Sequence, residues 1–101
     1  MNANLQPLIE VLRHTRQLLA LPESDFVYSE WGDANEAMAA IDALIAELKE
    51  GRIPDQMALT LLFAPTGSIQ EVSARSGWGR EFLDVAARFD GAARSLYRPA
   101  K

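Results

Sequence analysis

The chain has 101 residues, a net charge of −4 and 49% apolar residues, which suffices for one hydrophobic core, so we expect a single domain over residues 1–101. The absence of cysteine excludes disulfides, thiolate nucleophiles and cysteine-based metal sites, and it favours a reducing compartment. No apolar run reaches membrane-spanning length and the N-terminus lacks a signal-peptide pattern, so we expect a soluble cytoplasmic protein with no membrane partner.

The first predicted element is an amphipathic helix over residues 4–21. Pro7 falls in its first turn, where a missing backbone N–H costs little, and Pro22 ends it. The apolar residues recur at helical spacing and predict one buried face. They are Leu5, Leu8, Ile9, Leu12 and Leu19.

Residues 22–33 form a predicted linker rich in aromatic side chains, namely Phe26, Tyr28 and Trp31. Aromatic residues in such a loop either fold back to cover a small core or anchor an interface with another molecule. The same two possibilities apply to Trp78, further along the chain.

Two more elements are predicted in the middle of the chain. Asp33 and Glu36 have the spacing of a helix-capping pair, so we expect a helix over residues 34–50 that ends at Gly51. Its alanines allow a neighbouring helix to approach closely. The segment 57–63 is too apolar to show a clear period, and a short buried helix is favoured over a strand.

A turn and a short helix follow. Residues 65–67, Pro-Thr-Gly, form a turn signal in which the glycine tolerates a positive φ. Ser68 and Glu71 have capping-box spacing, which predicts a helix that begins at Ile69. Gly77 is placed to end that helix in the left-handed conformation.

A longer helix is predicted from Arg80 onward, with Asp90-Gly91 as a candidate bend or interruption. Its apolar residues recur at spacings of three and four. They are Phe82, Val85, Ala86, Phe89, Ala93, Leu96 and Tyr97. Taken together, the elements predict an all-α fold, a four- to five-helix orthogonal bundle.

Few groups could carry catalysis or hold a metal. His14 is the only histidine and forms an i, i+4 pair with Glu10, but metal sites in bundles need ligands from several facing helices. No nucleophile elbow is present. We therefore predict no catalytic residue, no cofactor and no metal site, and hence a protein that is not an enzyme.

Residues 66–90 contain a further motif. The segment SIQEVSARSGW begins a pattern of apolar, small and glycine residues that fits the buried contacts and turn of a helix-turn-helix. The residues in this pattern are Ile69, Val72, Ser73, Gly77, Trp78, Leu83 and Ala86. The segment resembles the DNA-binding motif of the AraC class of regulators. That resemblance implies DNA contacts from a second helix in the major groove and its surroundings, at Arg75, Arg80, Glu81 and Arg88.

Two functions follow as hypotheses. The favoured one is a small acidic protein-interaction module, such as an adaptor, an inhibitor or an immunity-type protein, whose ligand is another protein or a second copy of the chain. It requires Trp31 or Trp78 to be exposed in the monomer. The predicted interaction surface consists of Phe26, Tyr28, Trp31, Trp78, Gly79 and Arg80. The alternative is a helix-turn-helix transcriptional regulator, although the acidic net charge disfavours a nucleic-acid partner.

Overall fold

Five α-helices form the part of the chain that the structure, a computed structural model, describes: residues 5–27, 29, 31–64 and 67–97. No strand occurs in those residues. The all-α prediction of a small helical bundle is therefore confirmed, and the strand alternative for the apolar segment 57–63 is wrong. In chain order the helices are α1 (Gln6–Leu19), α2 (Ala34–Lys49), α3 (Gln56–Leu62), α4 (Ser68–Ser76) and α5 (Gly79–Leu96).

The helices α1 and α5 are the most strongly amphipathic of the bundle. The helix α1 packs against both α2 and α5, and α4 packs against α5. All five helices contribute to one core, in which each buried aliphatic side chain is worth about 1.5–3 kcal/mol relative to an exposed position. The largest fully buried apolar side chains are Leu8, Val11, Leu12, Leu19, Ile41, Leu48, Leu59, Ile69, Val72 and Val85.

The predicted caps of α2 are confirmed. The Asp33 side chain accepts from the Glu36 amide at 2.9 Å, and the Glu36 carboxylate accepts from the Gly32 amide at 2.9 Å. These bonds satisfy backbone N–H groups that have no partner inside the helix. Gly51 follows the helix with φ of 84°, the left-handed conformation that glycine adopts without strain.

The start of α4 differs from the prediction. The helix begins at Ser68 and Gly67 takes the N-cap position, while residues 65 and 66 lie outside the described residues. The φ of Gly67 is −83°, so a positive φ is not what requires glycine. A Cβ at this position would overlap the carbonyl oxygen of Leu61 and would lie 3.0 Å from that of Leu62. Glycine is needed because the chain passes very close to the end of α3.

The long helix α5 is continuous through Asp90-Gly91, so the candidate interruption does not occur. Its predicted stripe faces the core, with Phe82, Val85 and Phe89 buried. The Phe89 ring stacks on that of Phe63, with 4.4 Å between centroids and 15° between planes. This contact fixes the end of α3 beside the middle of α5.

Candidate interaction surface

The structure buries both tryptophans of the predicted interaction surface. Trp31 is 6% exposed and Trp78 is 3% exposed, so the expectation that one of them is open to a partner is wrong. Phe26 is half-buried and packs against the core, and Tyr28 lies outside the described residues. The physical reason is that each ring removes about 150–250 Å² from water when it folds back over the bundle.

The loop between α1 and α2 also supplies polar partners to the corner between α4 and α5. The indole N–H of Trp78 donates to Ser24 Oγ at 3.1 Å. The carboxylate of Asp25 accepts from the Arg75 guanidinium at 3.2 Å. A hydrogen bond from the Val27 amide and the contact with Arg75 hold the pKa of the Asp25 carboxyl below its usual value, although desolvation acts in the opposite direction. This corner is therefore a closed structural junction.

The four predicted DNA contacts are all exposed, but two of them have partners within the chain. Arg80 and Glu81 are exposed at the start of α5. Arg75 forms the ion pair with the loop described above. The Arg88 guanidinium donates to Nδ1 of His14 at 2.9 Å, which ties α5 to α1. Two of the three arginines thus serve contacts within the chain.

The local outline of a helix-turn-helix is nevertheless present. Ser73 is fully buried, Gly77 adopts φ of 84°, and Gly79 is the first residue of the second helix. Leu83 departs from the motif, since it was expected to be buried and is 67% exposed. The preceding residue, Phe82, occupies the buried position instead.

A groove of about 900 Å³ lies between α3 and α5. This volume is near the upper end of the range for ligand pockets, about 300–1,000 Å³. The residues Gln56 and Thr60 line it from α3. Its other wall is largely apolar and comes from α5, mainly Phe82, Leu83, Ala86 and Phe89.

Large aliphatic side chains are exposed on both helices that border the groove. Leu83 projects from α5. On α3, Met57 is 62% exposed and Leu61 is 60% exposed, one helical turn apart, and Ile53 just before the helix is 50% exposed. Of these four residues, only Leu83 lines the groove itself.

Tyr97, the residue that follows α5, also lines the groove. Its hydroxyl donates to the carbonyl oxygen of Pro54 at 2.6 Å, which ties the end of α5 to the segment before α3. Burial, and then the nearby Asp55 carboxylate, raises the pKa of the Tyr97 phenol. The phenol therefore stays protonated at neutral pH and remains a hydrogen-bond donor.

The groove was not among the features predicted from the sequence. The signal was present in the segment 57–63, which holds more large apolar residues than a helix of that length can bury on one side. In the structure only Leu59 and Phe63 of this segment are buried. Of the other large apolar residues, Leu62 is partly buried, whereas Met57 and Leu61 are exposed.

Comparisons with protein-family models, with curated proteins and with solved structures find no match. Among the described residues, no helix combines the length and the apolar character needed to cross a membrane. The same residues contain no group of three or more histidine, aspartate or glutamate side chains placed to hold a metal ion. A functional proposal for this chain therefore rests on the geometry of its surface.

Proposed function

We propose that the chain is a small acidic, cytoplasmic protein-interaction module that acts as an adaptor, an inhibitor or an immunity-type protein and has no catalytic activity of its own. Its docking site is the groove between α3 and α5, and its ligand is an amphipathic helix of a protein partner. The observation that carries this proposal is the largely apolar α5 wall of the groove, in which Leu83 is 67% exposed. The lack of cysteine suits a reducing compartment.

A helix matches the shape and the chemistry of this site. In helix-in-groove recognition, an amphipathic helix places anchors at positions i, i+3 or i+4 and i+7 into an apolar groove. Phe82, Ala86 and Phe89 supply apolar surface for such anchors. Asp90 and Arg94 line the same groove and offer one charge of each sign to the polar side of the incoming helix.

Photo-crosslinking from inside the groove tests the proposal. Leu83 is replaced by p-benzoylphenylalanine, and the cells that produce this variant are irradiated. We expect a covalent adduct with a protein, because the probe lies where the partner helix packs. The adduct is detected on a denaturing gel, and the attached protein is identified by peptide mass spectrometry.

Two further variants make this experiment decisive. The same probe at Ala43, which is exposed on α2 and lies away from the groove, should give no adduct. The change Ala86→Arg places a charged side chain in the groove wall and should abolish the adduct from position 83, while circular dichroism remains unchanged. The absence of any adduct at position 83, or one that persists in the Ala86→Arg background, would overturn the proposal.

DNA binding is a second candidate, because α4 and α5 meet at a left-handed Gly77 with Ser73 buried, as a helix-turn-helix requires. If this function is correct, the protein should be retained on duplex DNA at low salt, with an affinity that falls steeply as salt rises. The change Arg80→Glu should abolish retention, whereas Arg13→Glu on α1 should not. Absence of retention of the unmodified protein at low salt would eliminate this candidate.

A further inference from the structure

The helix α3 is the wall of the groove with the fewest buried side chains. Of its seven residues only Leu59 is buried, whereas α1 buries seven of its 14 residues. Isolated helices shorter than about 12–15 residues are marginal in water, and segments with few buried apolar contacts open locally at a lower cost than the whole fold. The position of α3 is therefore set by the contacts that hold its two ends.

The C-terminal end of α3 is firmly held. The buried ring of Phe63, which directly follows the helix, stacks on Phe89 of α5 with 4.4 Å between centroids. The chain then passes so close to the end of α3 that a Cβ at Gly67 would lie 3.0 Å from the carbonyl oxygen of Leu62. Displacing this end would break the aromatic stack and a tightly packed contact, so it is the fixed end.

A single long-range hydrogen bond ties the N-terminal end of α3 to the bundle. The Tyr97 hydroxyl donates to the carbonyl oxygen of Pro54, itself a buried residue, at 2.6 Å. In the part of the chain that the structure describes, this is the only hydrogen bond that joins residues 53–58 to a distant segment, since the Asp55 side chain bonds to the Ala58 amide within the helix. Removal of the Tyr97 hydroxyl would therefore loosen this end without touching the other.

The segment before α3 leaves its N-terminal end room to move. The Arg52 amide donates to the Glu47 carbonyl at 2.9 Å, so this residue is tied to the end of α2 and not to α5. Gly51 is exposed, and a Cβ added there would meet no atom within 4 Å. Ile53 is 50% exposed. A rotation of the backbone in this segment thus disturbs little packed structure.

We propose that α3 is a hinged wall of the groove, which swings about Phe63 and is held at its other end by a latch, the hydrogen bond from Tyr97 to Pro54. Gln56 and Thr60 line the groove from α3, and Tyr97 lines it from the end of α5. Release of the latch therefore widens the groove at this end and uncovers more of its apolar wall. The use of this motion, admission of the partner helix, rests on the proposed function of the groove.

Amide hydrogen exchange followed by NMR tests the latch in the absence of any partner. In the unmodified chain the Leu59 amide, which bonds to the Asp55 carbonyl, should exchange faster than the Leu12 amide of α1. Low urea should hardly change the rate at Leu59, because a local opening exposes little surface. Tyr97→Phe keeps the ring but removes the donor, so exchange at Leu59 should become about 2- to 10-fold faster. Exchange at Phe63 and Leu12 should stay unchanged.

The same substitution tests the use of the latch in docking. If the partner helix enters the open form, a larger open population raises the apparent affinity in proportion. The yield of the adduct from the probe at position 83 should therefore rise in Tyr97→Phe at partner levels below saturation. As a control, Arg13→Glu changes an exposed residue of α1 and should alter neither the adduct yield nor the exchange at Leu59.

The outcomes separate this inference from the proposed function. Equal exchange rates at Leu59 and Leu12 with the same urea dependence, or no acceleration in Tyr97→Phe, would overturn the hinged wall. Acceleration at Leu59, Phe63 and Leu12 alike would also overturn it, because the whole fold would then be less stable. Faster exchange at Leu59 alone with no rise in adduct yield would overturn the role in docking. If the unmodified chain gives no adduct, the proposed function fails, and the exchange rates still decide the latch.

Discussion

The change Trp78→Ala is expected to lower the free energy of unfolding by about 3–5 kcal/mol. Trp78 is 3% exposed, and its removal leaves a cavity between α4, α5 and the α1–α2 loop. It also removes the donor to Ser24 Oγ. Since small domains are stable by only about 5–15 kcal/mol in total, this single substitution removes much of the stability. Urea denaturation followed by circular dichroism measures the loss.

Two control variants identify the cause of this loss. Trp78→Phe keeps most of the ring but lacks the indole N–H, so it should cost about 1–2 kcal/mol. Leu83→Ala removes an aliphatic side chain that is largely exposed, and its effect should stay within about 0.5 kcal/mol. A cost of Trp78→Ala as small as that of Leu83→Ala would contradict the burial of the tryptophan.

These variants also separate folding from binding. Loss of an interaction in Trp78→Ala would report on unfolding, since the ring belongs to the core and not to the surface. Leu83→Ala should behave in the opposite way, with an almost unchanged stability and a weaker interaction at the groove. The residue that carries recognition is therefore expected to be an exposed leucine of α5 instead of the aromatic residues of the loops.

The helices could be predicted because their signals are local. The Asp33–Glu36 cap and the apolar stripe of α5 each lie within one segment of the chain, so neither depends on the rest of the fold. The tryptophans could not be assigned in this way. Trp78 is bound to Ser24, 54 residues earlier in the chain, and the sequence alone does not show which loop covers which ring.

The groove depends on packing between helices in the same way. Leu83 follows a helical pattern that is compatible with burial or exposure, and its surroundings are decided by the position of α3 relative to α5. The segment 57–63 indicated an excess of apolar residues but not the side on which they would be exposed. Which of these apolar residues are exposed depends on tertiary contacts. The spacing of apolar residues along the chain does not specify those contacts.

A second large effect on stability is expected from substitution of Gly67. The role of this glycine could not have been inferred from local conformation. The sequence suggested a turn glycine with a positive φ, whereas its observed φ of −83° is accessible to any residue. Its amide donates to the Ala64 carbonyl at 2.9 Å, which holds its Cα against the open end of α3. An added Cβ meets the carbonyl oxygens of Leu61, Leu62 and Ala64.

We expect Gly67→Ala to lower the free energy of unfolding by about 1–3 kcal/mol, because the backbone must move apart to admit the methyl group and the hydrogen bond to Ala64 weakens. The matched control is Gly91→Ala, where the added Cβ meets no atom within 4 Å. In the middle of α5 this change should stabilise the fold by about 0.5–1 kcal/mol. Urea titrations at a protein concentration low enough to avoid self-association compare the two.

The opposite signs of these two changes are the informative result. If Gly67→Ala were neutral or stabilising like Gly91→Ala, the close approach of α4 to the end of α3 would be contradicted. Because α3 forms one wall of the groove, the shift that relieves the Gly67→Ala contact also displaces that wall. The yield of the adduct from position 83 should therefore fall in Gly67→Ala even where the protein remains folded, and it should be unchanged in a surface variant such as Arg13→Glu.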